Sequence, residues 1–173
     1  MKPLKSEIVF ATPWFQVVGK TMRENESPYY SLKLADYATT LAVTEAGRVL
    51  VVRQYRPAVE RYTLELPSGL IEPGESAVTT AKRELLEETG YEAGEVEVLG
   101  AMDPDLGRLS NQSWGFFASG VRKIAGHMPE EGIEVLEWPL EELFGAIRDG
   151  QFAHALHIAI VFQAVLQGKI RST

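Results

Sequence analysis

Residues 69–91 read GLIEPGESAVTTAKRELLEETGY and carry the strongest structural signal in the chain. Pro73-Gly74 predicts a turn. The run 76–89 contains neither Gly nor Pro and therefore predicts a helix, which Gly90 is expected to end. The stretch thus predicts a loop, a helix and a glycine cap near the middle of the chain.

The predicted helix carries two different faces. A buried stripe is expected at four-residue spacing, formed by Ala77, Ala81, Leu85 and Thr89. Glu84, Glu87 and Glu88 follow the i, i+3, i+4 rule and share another face. Like charges at this spacing destabilise a helix, and glutamates near its C-terminal end oppose the helix dipole. We therefore expect a bound cation to offset both penalties.

Carboxylate oxygens suit Mg²⁺, with Mn²⁺ as a substitute. Glu84 and Glu88 are the predicted ligands, and Glu87 is either a third ligand or the residue that holds a metal-bound water. Arg83 cannot bind a metal, so we predict that it orients a neighbouring glutamate through a bidentate pair. Gly69 would let the loop backbone approach the helix closely. The alternative is an ordinary solvated acidic helix face.

The glycines and charged residues of this stretch stand at fixed offsets, namely Gly69, Glu75, Arg83, Glu84, Glu87, Glu88 and Gly90. The arrangement resembles the Nudix box, G-x5-E-x7-R-E-U-x-E-E-x-G-U, in which U is apolar. Leu85 takes the first U position and Tyr91 the last. The resemblance implies an α+β Nudix fold with a mixed β-sheet sandwiched between helices (α/β/α). It also implies Mg²⁺-dependent hydrolysis, with the Ser68 carbonyl as a further metal ligand.

Composition narrows the classes of function. The chain has 173 residues, 45% hydrophobic and 24% charged, which is typical of a globular domain. Its net charge of −7 argues against broad binding to nucleic acid or anionic membranes. The absence of cysteine excludes disulfides and thiolate chemistry, and argues against the isoprenoid isomerase branch of the fold. No secretory signal or long apolar run is visible, so we expect a cytoplasmic location.

Short β-prone segments flank the box. Strands are predicted at IVF and WFQVV within residues 6–22, at YYSLKL, and at residues 38–43, 49–54, 62–66, 95–102, 114–118 and 133–138. Pro139 is expected to begin a helix, and residues 152–167 to form a final amphipathic helix. Strands that outnumber helices in this order favour a layered α+β fold.

The strands before residue 36 precede the Nudix core. In ADP-sugar members of the family, an N-terminal antiparallel sheet packs against a second subunit. The resemblance therefore divides the chain into residues 1–35, a dimerisation element, and residues 36–173, the Nudix domain, and it implies a homodimer. The alternative is a sheet that packs on its own domain.

The segments on either side of the box indicate the substrate. Residues 52–69, VRQYRPAVERYTLELPSG, resemble the RQ-[YF]-RP…E-[LF]-P-[AS]-G stretch of ADP-ribose pyrophosphatases. Residues 102–111, MDPDLGRLSN, resemble the loop that follows the box in that subfamily, with an Asp-Leu-Gly-Arg insertion. The resemblance implies a small-molecule nucleoside diphosphate sugar, ADP-ribose, cleaved to AMP and ribose 5-phosphate. GDP-mannose, another nucleotide sugar, a dinucleotide or a damaged triphosphate are alternative substrates, and a non-catalytic sensor is an alternative function.

Four residues outside the box are candidate substrate ligands. Arg56 comes first, because a guanidinium matches a diphosphate bidentately and stays charged. Arg53 is a weaker candidate that fits a solvent-facing strand position equally well. Glu65 would bind a metal-linked water or a ribose hydroxyl, or pair with an arginine; Arg108 would reach a phosphate or the terminal ribose. The candidates for aromatic contacts to adenine are Trp14, Phe15, Tyr29 and Tyr30.

Water is the expected nucleophile, because the chain lacks cysteine and shows no Ser-His arrangement. In ADP-ribose pyrophosphatases the base is a glutamate on a mobile loop before the last core strand. The corresponding segment here is MPEEGIEVLEWP, in which Glu131 aligns best as the catalytic base and Glu130 and Glu134 remain alternatives.

His154 and His157 stand at i, i+3 in the final predicted helix. This spacing would suit a metal, but the sequence shows no matching third ligand. We therefore expect ordinary helix residues here.

Overall fold

The computed structural model describes residues 2–171. Its N-terminal part forms a small antiparallel sheet in the order β1-β2-β3, with β1 at Lys5–Ala11, β2 at Gln16–Thr21 and β3 at Tyr29–Lys33. The β3 strand contacts a later loop, since the Leu32 N–H donates to the Arg108 carbonyl over 2.7 Å. The predicted N-terminal antiparallel sheet is confirmed.

The larger sheet has eight strands, which lie before and after the box helix in the chain. They are β4 (Tyr37–Thr44), β5 (Val49–Arg56), β6 (Arg61–Glu65), β7 (Ser68–Leu70), β8 (Tyr91–Glu92), β9 (Glu95–Met102), β10 (Ser113–Lys123) and β11 (Glu134–Trp138). The central order is β11-β5-β4-β10-β8, with β6 beside β5, β7 beside β4 and β9 beside β10. The β10 strand runs parallel to β4, while its neighbours β8 and β9 run antiparallel to it, so the sheet is mixed.

Helices cover both faces of this sheet. They are α1 (Ala77–Thr89), α2 (Leu140–Arg148) and α3 (Ala155–Leu166). Side chains alternate along a strand: Leu50 packs in one core cluster with Leu85 of α1, whereas Val49 and Val51 pack in another with residues of α2 and α3. The predicted α/β/α layering is thus confirmed. None of the helices within residues 2–171 is long and apolar enough to cross a membrane.

The box helix forms for the reasons its sequence predicts. The Ser76 side chain accepts a hydrogen bond from the Thr79 N–H and caps the N-terminus. Gly90 ends the helix in the left-handed conformation, at φ 75°, which glycine adopts without strain. Ala81, Leu85 and Thr89 are buried, as the four-residue stripe predicts, whereas Ala77 in the first turn is only partly buried.

The last helix begins later than predicted. Residue 152 was the predicted start, but Phe152 is fully buried in the connection that precedes α3, which starts at Ala155. The imidazole of His154 caps it by accepting from the His157 N–H, a role that sequence rules assign to Ser, Thr, Asp or Asn. This cap places both histidines at the N-terminal end of α3.

Candidate active site

The acidic face of α1, defined by Glu84, Glu87 and Glu88, runs from buried to exposed. Glu88 is 5% exposed, whereas the Glu87 side chain is 51% exposed. The Ser68 N–H donates to Glu88 over 2.8 Å. Burial raises the pKa of Glu88 to about 8, and burial also raises the pKa of Glu84 despite its hydrogen bond from Arg83. Two carboxylates held away from water in this way are disfavoured as anions unless a cation joins them.

Close approach of β7 to the helix depends on Gly69. A Cβ atom at this position would lie 2.0 Å from the Glu84 carboxyl carbon. Any side chain would therefore displace that carboxylate, so glycine is required by space rather than by its φ angle. The expected role of Gly69 in letting the loop approach the helix agrees with this geometry.

Arg83 donates hydrogen bonds to three of the box carboxylates. Its guanidinium donates to both oxygens of Glu75 over 3.0 Å, to Glu84 over 2.7 Å and to Glu87 over 2.9 Å. These hydrogen bonds lower the pKa of Glu75 to about 2. The arrangement fixes the rotamers of the acidic face, as expected of a residue that orients neighbouring glutamates.

A loop carrying two of the three candidate bases lies over the acidic face. A cavity of about 320 Å³, here called the metal-side cavity, is lined by Glu88, Arg56, Glu130, Glu131 and neighbouring residues. The Glu130 N–H donates to the Glu87 carbonyl over 2.9 Å and so ties the loop to α1.

The third candidate base is placed differently. Glu134 pairs with Arg53 over 2.8 Å on the adjacent strand β5, and neither residue is among those that line the metal-side cavity. Glu131 and Glu130 are therefore the candidates that the structure brings to the acidic face.

Arg56 links two parts of the site. It donates bidentately to Glu65, from Nε over 2.8 Å and from Nη2 over 2.7 Å, and it lines the metal-side cavity. Glu65 is 2% exposed. Burial opposes its ionisation, yet hydrogen bonds from Arg56 and Thr63 hold its pKa down at about 2. Glu65 is thus ionised and positions the Arg56 guanidinium.

The remaining predicted substrate ligands lie elsewhere. Arg53 is stacked over the Tyr62 ring, 4.2 Å from its centroid, in addition to its pair with Glu134. Arg108 is exposed and donates to the Gly107 carbonyl over 2.8 Å. Neither arginine lines the metal-side cavity or the larger cavity beside it, and the aromatic candidates Trp14, Phe15, Tyr29 and Tyr30 do not either.

A second, larger cavity adjoins the first at Arg56. It measures about 650 Å³, is here called the large cavity, and reaches Ser68 and Gly69 at one side. His154 and His157 line it, and one ring nitrogen of each lies within 4.8 Å of the other and of a Glu65 oxygen. The structure thus places a third potential ligand, Glu65, beside two histidines for which the sequence showed none. Glu65 comes from a distant strand, so spacing in the sequence gave no signal for it.

Comparison with known proteins identifies the family. The NUDIX domain matches residues 34–158. The chain belongs to the Nudix family. This Nudix protein is 30% identical over 134 residues to the methanol dehydrogenase activator of Bacillus methanolicus, across 76% of this chain and 72% of that protein. It is 50% identical over 102 residues to the ADP-sugar pyrophosphatase of Mus musculus, across 55% of this chain but only 47% of that protein.

A solved structure supports the fold. The crystal structure of an ADP compounds hydrolase superposes on the chain with a TM-score of 0.79 at 24% identity, covering 99% of this chain and 98% of that one. The family and its relatives identify the chain as a Nudix hydrolase, a class that generally needs a divalent metal. The acidic face fits such an ion, because it supplies only oxygen donors and holds one buried and one partly buried carboxylate whose raised pKa values a cation would lower.

Proposed function

We propose that this Nudix hydrolase cleaves the diphosphate bond of ADP-ribose and releases AMP and ribose 5-phosphate. The observation that carries the proposal is the meeting of Glu88, Arg56 and the Glu130–Glu131 loop around one cavity. The RQYRP and LELPSG segments that flank it resemble ADP-ribose pyrophosphatases, and the mouse relative is named for ADP-sugars.

Metal ligands would come from the acidic face. Glu84, Glu88 and the Ser68 carbonyl would hold Mg²⁺ or Mn²⁺, with Glu87 as a further ligand or as the acceptor of a water. When bound, the cation neutralises charge on the diphosphate and lowers the pKa of a water molecule. Arg83 keeps the glutamates in position through its hydrogen bonds to Glu84 and Glu87.

The chain's own residues account for the remaining steps. The Arg56 guanidinium, held by Glu65, would contact the diphosphate oxygens. Glu131 would take the proton of the attacking water, because it lines the same cavity as Glu88 and Arg56. The water oxygen forms a new bond to one phosphorus while the bond from that phosphorus to the bridging oxygen breaks. The electron pair of the broken bond leaves with the bridging oxygen, as part of the other phosphate. Glu130 is the alternative base on the same loop.

A substrate panel tests the proposal. Purified protein is incubated with ADP-ribose, ADP-glucose, GDP-mannose, a dinucleoside diphosphate and a damaged triphosphate in Mg²⁺, and the released mononucleotide is identified by chromatography. We expect AMP and ribose 5-phosphate from ADP-ribose at the highest kcat/KM. Faster release of GMP from GDP-mannose would reject the adenosine assignment, and no turnover of any compound would favour a sensor.

The N-terminal sheet supports a further part of the proposal, that residues 1–35 form a dimerisation element ahead of a Nudix domain at 36–173. Consecutive residues Ile8, Val9 and Phe10 of β1 are 57%, 49% and 56% exposed. All seven residues of β1 are exposed, so the strand is bare on both faces, and within residues 2–171 it pairs only with β2 and leaves its other edge unpaired. Exposed apolar surface of this kind marks an interaction site, and a second copy of the chain would cover it.

Light scattering after gel filtration tests the dimer. Ile8→Lys and Phe10→Lys should convert a dimer to a monomer, because each places a charge in the proposed interface. Val98→Lys is the control, since Val98 is 56% exposed on β9, outside the N-terminal sheet. A wild-type monomer at micromolar concentration would reject this part of the proposal.

A further inference from the structure

His154 and His157, here called the histidine pair, lie together on the surface of the large cavity. Their rings stack with centroids 3.6 Å apart and planes inclined by 18°. His157 is only 3% exposed and is among the residues that line this cavity. The proposed reaction gives neither ring a role, although both border the region between the diphosphate site and α3.

Backbone hydrogen bonds fix the tautomer of both rings. The Leu66 N–H donates to Nδ1 of His157 over 3.0 Å, and the His157 N–H donates to Nδ1 of His154 over 3.4 Å. A backbone N–H only donates, so each Nδ1 carries a lone pair. In a neutral imidazole the proton must then sit on Nε2. Burial also lowers the pKa of both rings, that of His157 to about 3, which keeps them neutral.

This tautomer argues against a metal at the cluster of Glu65 and the two histidines. A cation would need the lone pair of Nε2, which is protonated in both rings. Glu65 is already engaged, since it accepts two hydrogen bonds from Arg56 and one from the Thr63 hydroxyl over 2.6 Å. The histidine pair therefore presents two N–H donors to the cavity and no metal ligand.

Other polar groups line the same cavity. Thr39 and Ser113 add hydroxyl groups to its lining. Within residues 2–171 the hydrogen bonds accepted by the rings of the histidine pair go to Nδ1 in each case, which leaves the Nε2 atoms to the cavity. Hydroxyls both donate and accept, whereas the histidines donate, so the combination matches a ligand with several hydroxyl oxygens. Apolar residues of the lining, among them Val59, Leu109 and Leu156, would contact its carbon atoms.

We propose that His154 and His157 form a neutral donor pair that binds the sugar attached to the diphosphate and helps determine which sugar is accepted. The inference rests on the proposed function, because it takes the sugar half of that substrate as its ligand. A sugar fits better than a base, since hydroxyls and N–H donors line the same cavity. A site built to hydrogen-bond hydroxyls discriminates against ligands that lack them, because its polar groups are then left unpaired.

Three variants test the Nε2 donors separately from the hydrogen bonds that the two histidines accept from backbone N–H groups. His154→Asn keeps an N-cap side chain and removes the Nε2 donor. His157→Asn keeps an acceptor for the Leu66 N–H and removes the other Nε2 donor, whereas His157→Gln returns a donor near that position. Phe162→Asn is the control, because Phe162 is 59% exposed on the same helix. Circular dichroism and thermal melts check folding, and His154→Asn carries the test if the buried position tolerates no change.

Binding of the two products is measured separately by calorimetry, with ribose 5-phosphate and AMP as probes in Mg²⁺. Each Asn variant should weaken ribose 5-phosphate binding by roughly 3- to 10-fold, the effect of one hydrogen bond, and leave AMP binding unchanged. His157→Gln should recover part of the loss, and Phe162→Asn should match wild type.

The other outcomes are equally decisive. A loss confined to AMP would overturn the inference by assigning the pair to the nucleobase, and unchanged Kd values for both probes would overturn it outright. Wild-type protein that binds mannose 1-phosphate instead of ribose 5-phosphate would reject ADP-ribose as substrate, and the variants are then scored on that sugar phosphate. Wild-type protein that binds no sugar phosphate would overturn the inference.

Discussion

The acidic face and the histidine pair border adjoining cavities and respond to burial in opposite ways. Glu88 is 5% exposed, and burial raises its pKa to about 8, so full ionisation near neutral pH needs a cation. His157 is 3% exposed, and burial lowers its pKa to about 3, so the ring is neutral without a partner. The acidic face is therefore suited to binding a cation. The histidine pair is suited to donating hydrogen bonds from neutral rings.

The largest expected effect comes from removing charge on the acidic face. Glu88→Gln should stay folded and lose about 10³-fold or more of kcat, because metal ions contribute several kcal/mol of transition-state stabilisation. Steady-state kinetics with Mg²⁺ and a thermal melt measure both. Glu92→Gln, at an exposed position on β8, is the matched control. Unchanged turnover in the Glu88 variant would rule out its assignment as a metal ligand.

Next in size is the loop over the acidic face. Glu131→Gln should lower kcat by at least about 10²-fold, the usual contribution of a general base, with little change in metal affinity. Glu130→Gln is its matched partner, since both residues line the metal-side cavity and differ by one position. If the Glu130 variant shows the larger loss, the base is Glu130 and the assignment of Glu131 is wrong.

A smaller effect is expected where only the geometry of the acidic face changes. Gly69→Ala places a Cβ 2.0 Å from the Glu84 carboxyl carbon, so that carboxylate must move. Affinity for Mn²⁺, measured by calorimetry, should fall by about 10-fold, the lower end of effects seen when the residues supporting a ligand are altered. Gly145→Ala in α2 is the control, because its added Cβ meets nothing closer than 3.7 Å. Equal affinities in the two variants would separate Glu84 from the metal.

The two regions also differ in how far the sequence predicts them. Local pattern predicted the box helix, its Ser76 and Gly90 ends and the acidic face, because i, i+3, i+4 spacing translates directly into one helix face. The layered fold followed from the order of the strands and from the family resemblance. The bounds and register of the strands were predicted less well. The strand expected at residues 114–118 extends over Ser113–Lys123, because pairing with neighbouring strands rather than propensity determines where it ends.

The histidine pair escaped prediction for a physical reason. The tautomer of His157 depends on the Leu66 N–H, and the third neighbour of the pair is Glu65, at the end of β6; both lie far from α3 in sequence. Spacing within one helix carries no information about such tertiary partners. The same limit applies to Arg53, whose partner Glu134 is known only once β5 and β11 are paired.

The last predicted effect is on stability, and it tests the contrast directly. Between pH 3 and 6.5 the unfolded chain binds a proton at His157 that the folded chain does not, so this residue makes stability rise with pH. Between pH 4.5 and 8 the folded chain binds a proton at Glu88 that the unfolded chain does not, so that residue makes stability fall with pH. Each slope is at most about 1.4 kcal/mol per pH unit.

Denaturant unfolding in EDTA, at half-unit steps from pH 4.5 to 8, resolves the two contributions as differences from wild type. The free energy of unfolding of Glu88→Gln should gain on that of wild type as pH rises to 8. That of His157→Asn should lose ground up to pH 6.5 and then run parallel to wild type. Adding Mg²⁺ should abolish the first difference in slope and leave the second, because a cation replaces the proton at Glu88 but has no ligand at His157. If the difference in unfolding free energy from wild type changed with pH in the same direction for both variants, burial would not shift the pKa values of Glu88 and His157 in opposite directions.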